Sequence, residues 1–173
     1  CKSILQTFAK YEHHGLLPNL FPEGDVEPMY NSVDAPLLFI NAVYEYIQTS
    51  RDNAFLPEVW DVLKRIMTAY EKGTDYHIGM DSDCLIQAGA DLEQLTWMDV
   101  RVGNYLPTPR HGKPVEVNAY WYNDLEIMKQ FALLQQDNEL AQHYAELADK
   151  VKEAFLLKFW NEEENCLKDV LSG

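Results

Sequence analysis

The stretch Asp34-Ala-Pro-Leu-Leu-Phe-Ile-Asn-Ala-Val-Tyr-Glu-Tyr-Ile-Gln48 decides the fold class. Leu37, Ile40, Tyr44 and Ile47 recur at helical spacing, and Phe39, Ala42 and Val43 fill the flanks. The spacing predicts a helix over residues 35–48 that is apolar nearly all round, and such a helix has to be covered on most sides. Asp34 with Pro36 just inside is a start signal. Working outward, four more stretches carry the same period. Residues 2–13 place Ile4, Phe8 and Tyr11 on one stripe, and His13-His14-Gly15 reads as a helix end. Residues 57–72 carry Val59, Leu63, Ile66 and Tyr70, with Gly73 after them. A helix starting near Asn118 carries Trp121, Leu125, Met128 and Ala132. Residues 139–159 carry Leu140, Tyr144, Leu147, Val151 and Phe155. Strand signals are weak: residues 84–87 and 166–170 read at most as arms of a short β-hairpin. The expected class is all-α.

The connections alternate long, short, long, short. Residues 14–33 and 74–117 are long links; residues 49–56 and the stretch around Gln136-Asp137-Asn138 are short. If consecutive helices pack antiparallel, both long loops emerge at the same end of the layer. Loops of that length inside a domain are usually functional. One elaborated end and one trimmed end is the layout of an α/α toroid or solenoid with a single active face. No strict period links the hairpins, so a repeat array of the tetratricopeptide kind is not supported.

Composition removes several classes of function. The chain has 173 residues, with 14 Lys plus Arg against 28 Asp plus Glu, a formal net charge of −14. Phosphate binding needs clustered cations, and none cluster here, which argues against nucleic acid and against an anionic membrane surface. No apolar run approaches the ~18 residues of a spanning helix, and no secretory leader is visible. Cys1, Cys84 and Cys166 are odd in number and far apart, so free thiols in a reducing, cytoplasmic compartment are expected. Asp81-Ser-Asp83 lacks the later ligands of a calcium loop, and His13 and His14 read as a helix end, so no metal or cofactor is expected. The chain starts at Cys1 without Met and reads as part of something longer.

Both long loops mix aromatics, carboxylates and amides. Tyr30 and Asp34 close the first; Trp97, Asp99, Arg110, Lys113, Glu116, Trp121 and Tyr122 lie in or just after the second. Sugars present apolar C–H faces and many hydroxyls, so flat rings beside carboxylates and amides suit them, as they suit other small molecules. Glycosidic cleavage needs one carboxyl as proton donor and a second as base or nucleophile. Asp99 is a donor candidate because Trp97, Met98 and Val100 surround it, and desolvation would raise its pKa. Each residue also has a plainer reading: Asp34 as a helix N-cap, Asp99 as a turn residue, Trp121 as core, Arg110 and Lys113 as solvated loop charges.

Four motifs in order tie the chain to a family. Gly15-Leu-Leu-Pro-Asn19 with Phe21-Pro-Glu-Gly24, Tyr30-Asn-Ser-Val-Asp-Ala35, Leu95-Thr-Trp-Met-Asp99, and Thr108-Pro-Arg-His-Gly-Lys-Pro-Val-Glu116 through Asn118-Ala-Tyr-Trp-Tyr-Asn123 resemble the amylo-α-1,6-glucosidase domain of glycogen debranching enzymes. The resemblance runs from the first helix to Phe159-Trp160-Asn161. It implies an α/α toroid of six helical hairpins and hydrolysis of single α-1,6-linked glucose stubs of glycogen or branched α-glucan with inversion. It makes Asp99 the general acid, and Tyr30, Asp34, Trp97, Arg110, Lys113, Glu116 and Trp121 glucose-binding candidates. It also implies that residues 1–173 are the amino-terminal part of the catalytic domain, that the general base lies on a later loop, and that the chain alone is inactive and self-associates through uncovered helix faces. Two other readings stay open: another α/α-toroid glycosidase, of the glucoamylase or trehalase kind, or a non-catalytic glucan-binding fragment.

Overall fold

The structure is a computed structural model that describes residues 1–21, 23, 27–89 and 93–172. Among the described residues five α-helices run in order: α1 (Lys2–Lys10), α2 (Ala35–Ser50), α3 (Phe55–Lys72), α4 (Val115–Leu134) and α5 (Asn138–Phe159). The stripes read from the period are what becomes buried. Leu37, Ile40 and Ile47 of α2, Val59, Leu63, Ile66 and Tyr70 of α3, Trp121, Leu125 and Met128 of α4, and Tyr144, Leu147 and Val151 of α5 share one core. The first helix departs from the expected stripe: Leu5 is its buried residue, while Ile4 and Tyr11 face solvent. It also ends at Lys10, three residues early, because the Tyr11 N–H returns to the Phe8 carbonyl at 3.0 Å and the Glu12 carboxylate takes the Gly15 N–H at 2.8 Å.

Both short connections turn on a left-handed residue, Arg51 (φ 62°) and Gln136 (φ 61°). The Arg51 N–H caps Ile47 and the Asp137 N–H caps Ala132, each at 2.9 Å. Links this short make α2–α3 and α4–α5 antiparallel hairpins. The central helix α4 packs against α5 and α2, and α1 lies across α2 and α3. Leu156 and Leu157 of α5 remain exposed, the latter by 79%.

The long loops are pressed onto this layer. Gly15 (φ +80°) starts the first; a Cβ there would sit 2.1 Å from the Ala69 Cβ, so only glycine lets the chain cross α3 this closely. Leu16 and Leu17 then bury fully. In place of one hairpin, three two-stranded antiparallel pairs form among the described residues: β1 (Gly79–Met80) with β2 (Ile86–Gln87), β3 (Lys113–Pro114) with β6 (Val170–Leu171), and β4 (Trp160–Asn161) with β5 (Cys166–Leu167). Pairing between β3 and β6 joins the start of α4 to residues 170–171, well past α5, a long-range contact that no local pattern announces. Asn118, wholly buried, locks α4 to the second loop: its Oδ1 accepts the Ile86 N–H at 2.7 Å, and its Nδ2 donates to the Ile86 and Pro114 carbonyls at 3.0 Å.

One core residue breaks the apolar pattern. Asp124 of α4 is wholly buried, and neither carboxyl oxygen has a hydrogen-bond partner among the described residues. Burial pushes its pKa well above the ordinary carboxylate range, so it is held neutral. The unfolded chain ionises this group near pH 3.9, so above that pH folding takes up a proton and stability falls by about 1.4 kcal/mol per pH unit until the folded pKa is reached. The expected outcome is that Asp124→Asn flattens the loss of urea stability as pH rises above about 4, where the unfolded chain ionises and the buried carboxyl resists doing so. An unchanged slope would contradict the assignment.

Candidate active site

Two long loops meet above the start of α2. The Val33 N–H donates to the Leu95 carbonyl at 2.8 Å, and Asn31 Nδ2 donates to the Gln94 carbonyl at 2.7 Å. Asp34 completes the join. It occupies the N-cap position of α2, yet its carboxylate makes no cap; the Ser32 hydroxyl takes that part by accepting the Ala35 N–H at 3.2 Å. Freed from capping, Asp34 accepts the Ser32 hydroxyl on Oδ1 and the Trp97 N–H on Oδ2, the latter at 3.2 Å from the other loop.

Asp99 sits beside it. The loop folds back so that Asp99 Oδ2 accepts the Leu95 N–H at 2.7 Å and the Thr96 N–H at 3.1 Å. This is a turn-forming carboxylate as well as a site candidate. Its Oδ1 has no partner among the described residues, and the residue is only 7% exposed. Gln94 Nε2 donates to the Asp99 carbonyl at 3.0 Å, and the Thr96 hydroxyl accepts the Met98 N–H at 3.2 Å. Asp99, Asp34, Asn31 and Trp97 border one cleft of about 730 Å³, whose apolar wall includes Leu20, Met29 and Leu38. Trp97 is 74% exposed, a flat ring offered to solvent at the rim. The cleft thus combines an exposed aromatic face with two anchored carboxylates and amides, a set able to seat a sugar ring.

The other predicted site residues lie elsewhere. Tyr30 does not border the cleft; its ring sits 5.7 Å from that of His13, and burial, then Glu27, pushes its phenol up. Trp121 is wholly buried, stacked 6.0 Å from Tyr70, with its indole N–H donating to the Cys84 carbonyl at 3.2 Å, so it offers no face to a ligand and the core reading holds. Arg110, 2% exposed, is held between Glu116 of α4 and Asp169, 2.5 Å away. Burial works against its charge and the two carboxylates outweigh it, so its pKa is raised. Lys113 reaches Asp81 and Asp83, each at 2.7 Å; burial lowers its pKa, but both carboxylates raise it further. Arg110, Lys113 and Glu116 are therefore neither solvated loop charges nor cleft groups: they tie the second loop to α4 and to the turn before β6. Pro22 and Gly24 of the first quoted motif lie outside the described residues. Sequence reasoning assigned no role to Asn31, Ser32, Gln94 and Thr96; the first two and the last were signalled by the motifs that hold Asp34 and Asp99, and Gln94 by adjacency alone. Among the described residues no group of three His, Cys, Asp or Glu is placed to hold a metal, and no helix is long and apolar enough to cross a membrane.

A layer of antiparallel helical hairpins with its elaborated loops gathered at a cleft is an α/α-toroid arrangement. The same fold occurs in a rhamnosidase from Klebsiella oxytoca with rhamnose bound, which aligns at a TM-score of 0.69 and 20% identity over 99% of this chain and 30% of that one. Residues 1–173 match the amylo-alpha-1,6-glucosidase family, and the chain belongs to it. A glycogen debranching enzyme of Saccharomyces cerevisiae is 29% identical over 96 residues, 56% of this chain and 6% of that protein. The chain thus spans under a third of the rhamnosidase it resembles.

The ion pairs of Lys113 make a stability prediction. Burial raises the Asp83 carboxyl, but Lys113, Lys158 and the Leu85 N–H outweigh it and hold its pKa at about 2. A depressed carboxylate contributes stability above the unfolded pKa and loses it as pH falls through the folded one. Lys113→Met should cost about 1–2 kcal/mol at neutral pH, since Asp83 keeps Lys158 and Asp81 is partly solvated. The variant should also lose less stability than the parent as pH falls from roughly 4 to 2. Urea unfolding across that range reads both effects.

Proposed function

We propose that this chain carries the acid half of a site that hydrolyses single α-1,6-linked glucose stubs on glycogen or limit dextrin with inversion. The observation that carries the reading is Asp99: a nearly buried carboxylate at the cleft, one oxygen fixed by two backbone N–H groups and the other without a partner. In this reading Asp99 gives its proton to the glycosidic oxygen as the C1–O bond breaks. Water attacks C1 from the opposite face, a base takes its proton, and α-linked substrate yields β-glucose. Asp34 and Asn31 hold sugar hydroxyls, and Trp97 covers an apolar ring face. Arg110, Lys113 and Glu116 act through the loops they hold.

Inversion requires the base roughly 6.5–9.5 Å from the acid, with room for water. Asp34 is already engaged by Ser32 and the Trp97 N–H, which suits a binding group better than a base. We assign the base to a segment outside these 173 residues, so this chain alone should release no glucose. The longer protein acts on cytoplasmic glucan in this proposal.

Two variants of the longer protein test it. Asp99→Asn should lower kcat on a branch-stub dextrin by roughly 10²–10⁴-fold while leaving substrate binding in place. Proton NMR of the fresh product should show the β-anomer. Preference for α-1,4 chains or trehalose would point to a different toroid glycosidase, and glucan binding without turnover to a binding module. Trp97→Ala should raise KM with kcat little changed, about 1–3 kcal/mol of lost stacking. An unaltered KM would remove the aromatic platform from the reading.

A further inference from the structure

The cleft carboxylates are anchored by backbone amides, so their positions depend on whatever fixes those amides. One side chain beneath them does so. Tyr70, near the end of α3, is wholly buried, and its hydroxyl donates to the Val33 carbonyl at 2.6 Å. Val33, also wholly buried, donates its N–H to the Leu95 carbonyl at 2.8 Å. Leu95 in turn donates its N–H to Asp99 Oδ2 at 2.7 Å, with Thr96 beside it at 3.1 Å. The next residue, Trp97, donates its N–H to Asp34 at 3.2 Å. A continuous line of hydrogen bonds thus runs from a helix in the core, through the first loop and across to the second, and ends on both cleft carboxylates.

We infer that Tyr70 is a positioning residue for Asp34 and Asp99: its phenol is the core-side end of a strut that sets the register of the two loops. The inference rests on the reading of Asp99 as the acid. Three observations support the strut. The ring of Tyr70 is wedged against Trp121 of α4 at 6.0 Å, so the phenol has a fixed origin on two helices. Val33 is the only residue of the first loop that, among the described residues, links Tyr70 to the second loop by backbone bonds in this way. Burial, with the Asp34 charge adding to it, pushes the phenol pKa well above its ordinary value, so Tyr70 stays a neutral donor throughout the range in which an enzyme works. The role of Trp121 follows: it is the backstop of the strut, although it never meets substrate.

A tyrosine with a purely structural role would, when cut back to phenylalanine, loosen the whole core evenly. A strut predicts local effects. In Tyr70→Phe, which keeps the ring and removes the donor, amide exchange at Val33, Leu95, Thr96 and Trp97 should quicken about tenfold or more, while amides of α5 stay protected. In the longer protein the same variant should lower kcat on a branch-stub dextrin about tenfold or more with KM within about twofold, because misplacing a catalytic group mainly costs the transition state. Tyr144→Phe, a buried tyrosine on α5, is the control and should leave kcat unchanged. If Tyr70→Phe does not fold, Trp121→Phe should give the same pattern more weakly. Even exchange across the chain, unchanged exchange at the four amides, or an equal loss of kcat in Tyr144→Phe would each overturn the strut. Absence of turnover in the wild-type protein sinks the functional reading instead, and the exchange pattern then decides the strut by itself.

Discussion

Two loops that start and end on different helices are held in register by amide donors that each supplies to the other. Val33 reaches Leu95, Trp97 reaches Asp34, and Asn31 reaches Gln94. The first of these bonds is shielded from water, because Val33 and Leu95 are buried, and the other two are half-buried. A buried amide without an acceptor costs about 1–3 kcal/mol, so sliding either loop past the other would strand several groups at once. The cleft, its two carboxylates and the exposed ring of Trp97 exist as a set only while this join holds.

Charge does a different job from the one its sequence position advertises. In an acidic chain, two of the cations of the second loop, Arg110 and Lys113, are spent inside the protein on Glu116, Asp169, Asp81 and Asp83. Those pairs gather the second loop, the start of α4 and the turn before β6 at one place. None of these groups lines the cleft; they act on the loop that carries it. Buried ion pairs contribute less to net stability than their geometry suggests, but they penalise any arrangement that separates them. Here that penalty favours a single path for the second loop.

The helices were legible because burial of a face imposes a 3.6-residue period, and α2, α3 and α5 each display it, as does α4 apart from the buried Asn118 and Asp124. The first helix was misjudged by one position: with a single buried residue, Leu5, its period is too weakly loaded to define a face. The cleft members Asp34, Trp97 and Asp99 were legible as motif residues. Tyr30, Trp121, Arg110, Lys113 and Glu116 were not separable from them, because a ring or a charge reads the same in sequence whether it meets substrate, core or counter-ion. Tyr70 and Asn118 gave no functional signal at all; one looked like helix stripe and the other like helix surface.

By itself, the sequence determined the class: five periodic stretches, two trimmed turns and two long loops leave little but a layer of helical hairpins with one working end. It also determined the family, since ordered motifs survive as strings. Tertiary structure alone decided which motif residues share a cleft, which are sealed in ion pairs, and that a tyrosine in α3 lies under both carboxylates. The physical reason is range. Periodicity and capping act within a few residues of the chain, whereas hydrogen bonds such as Trp97 to Asp34 and Tyr70 to Val33 join positions 63 and 37 residues apart.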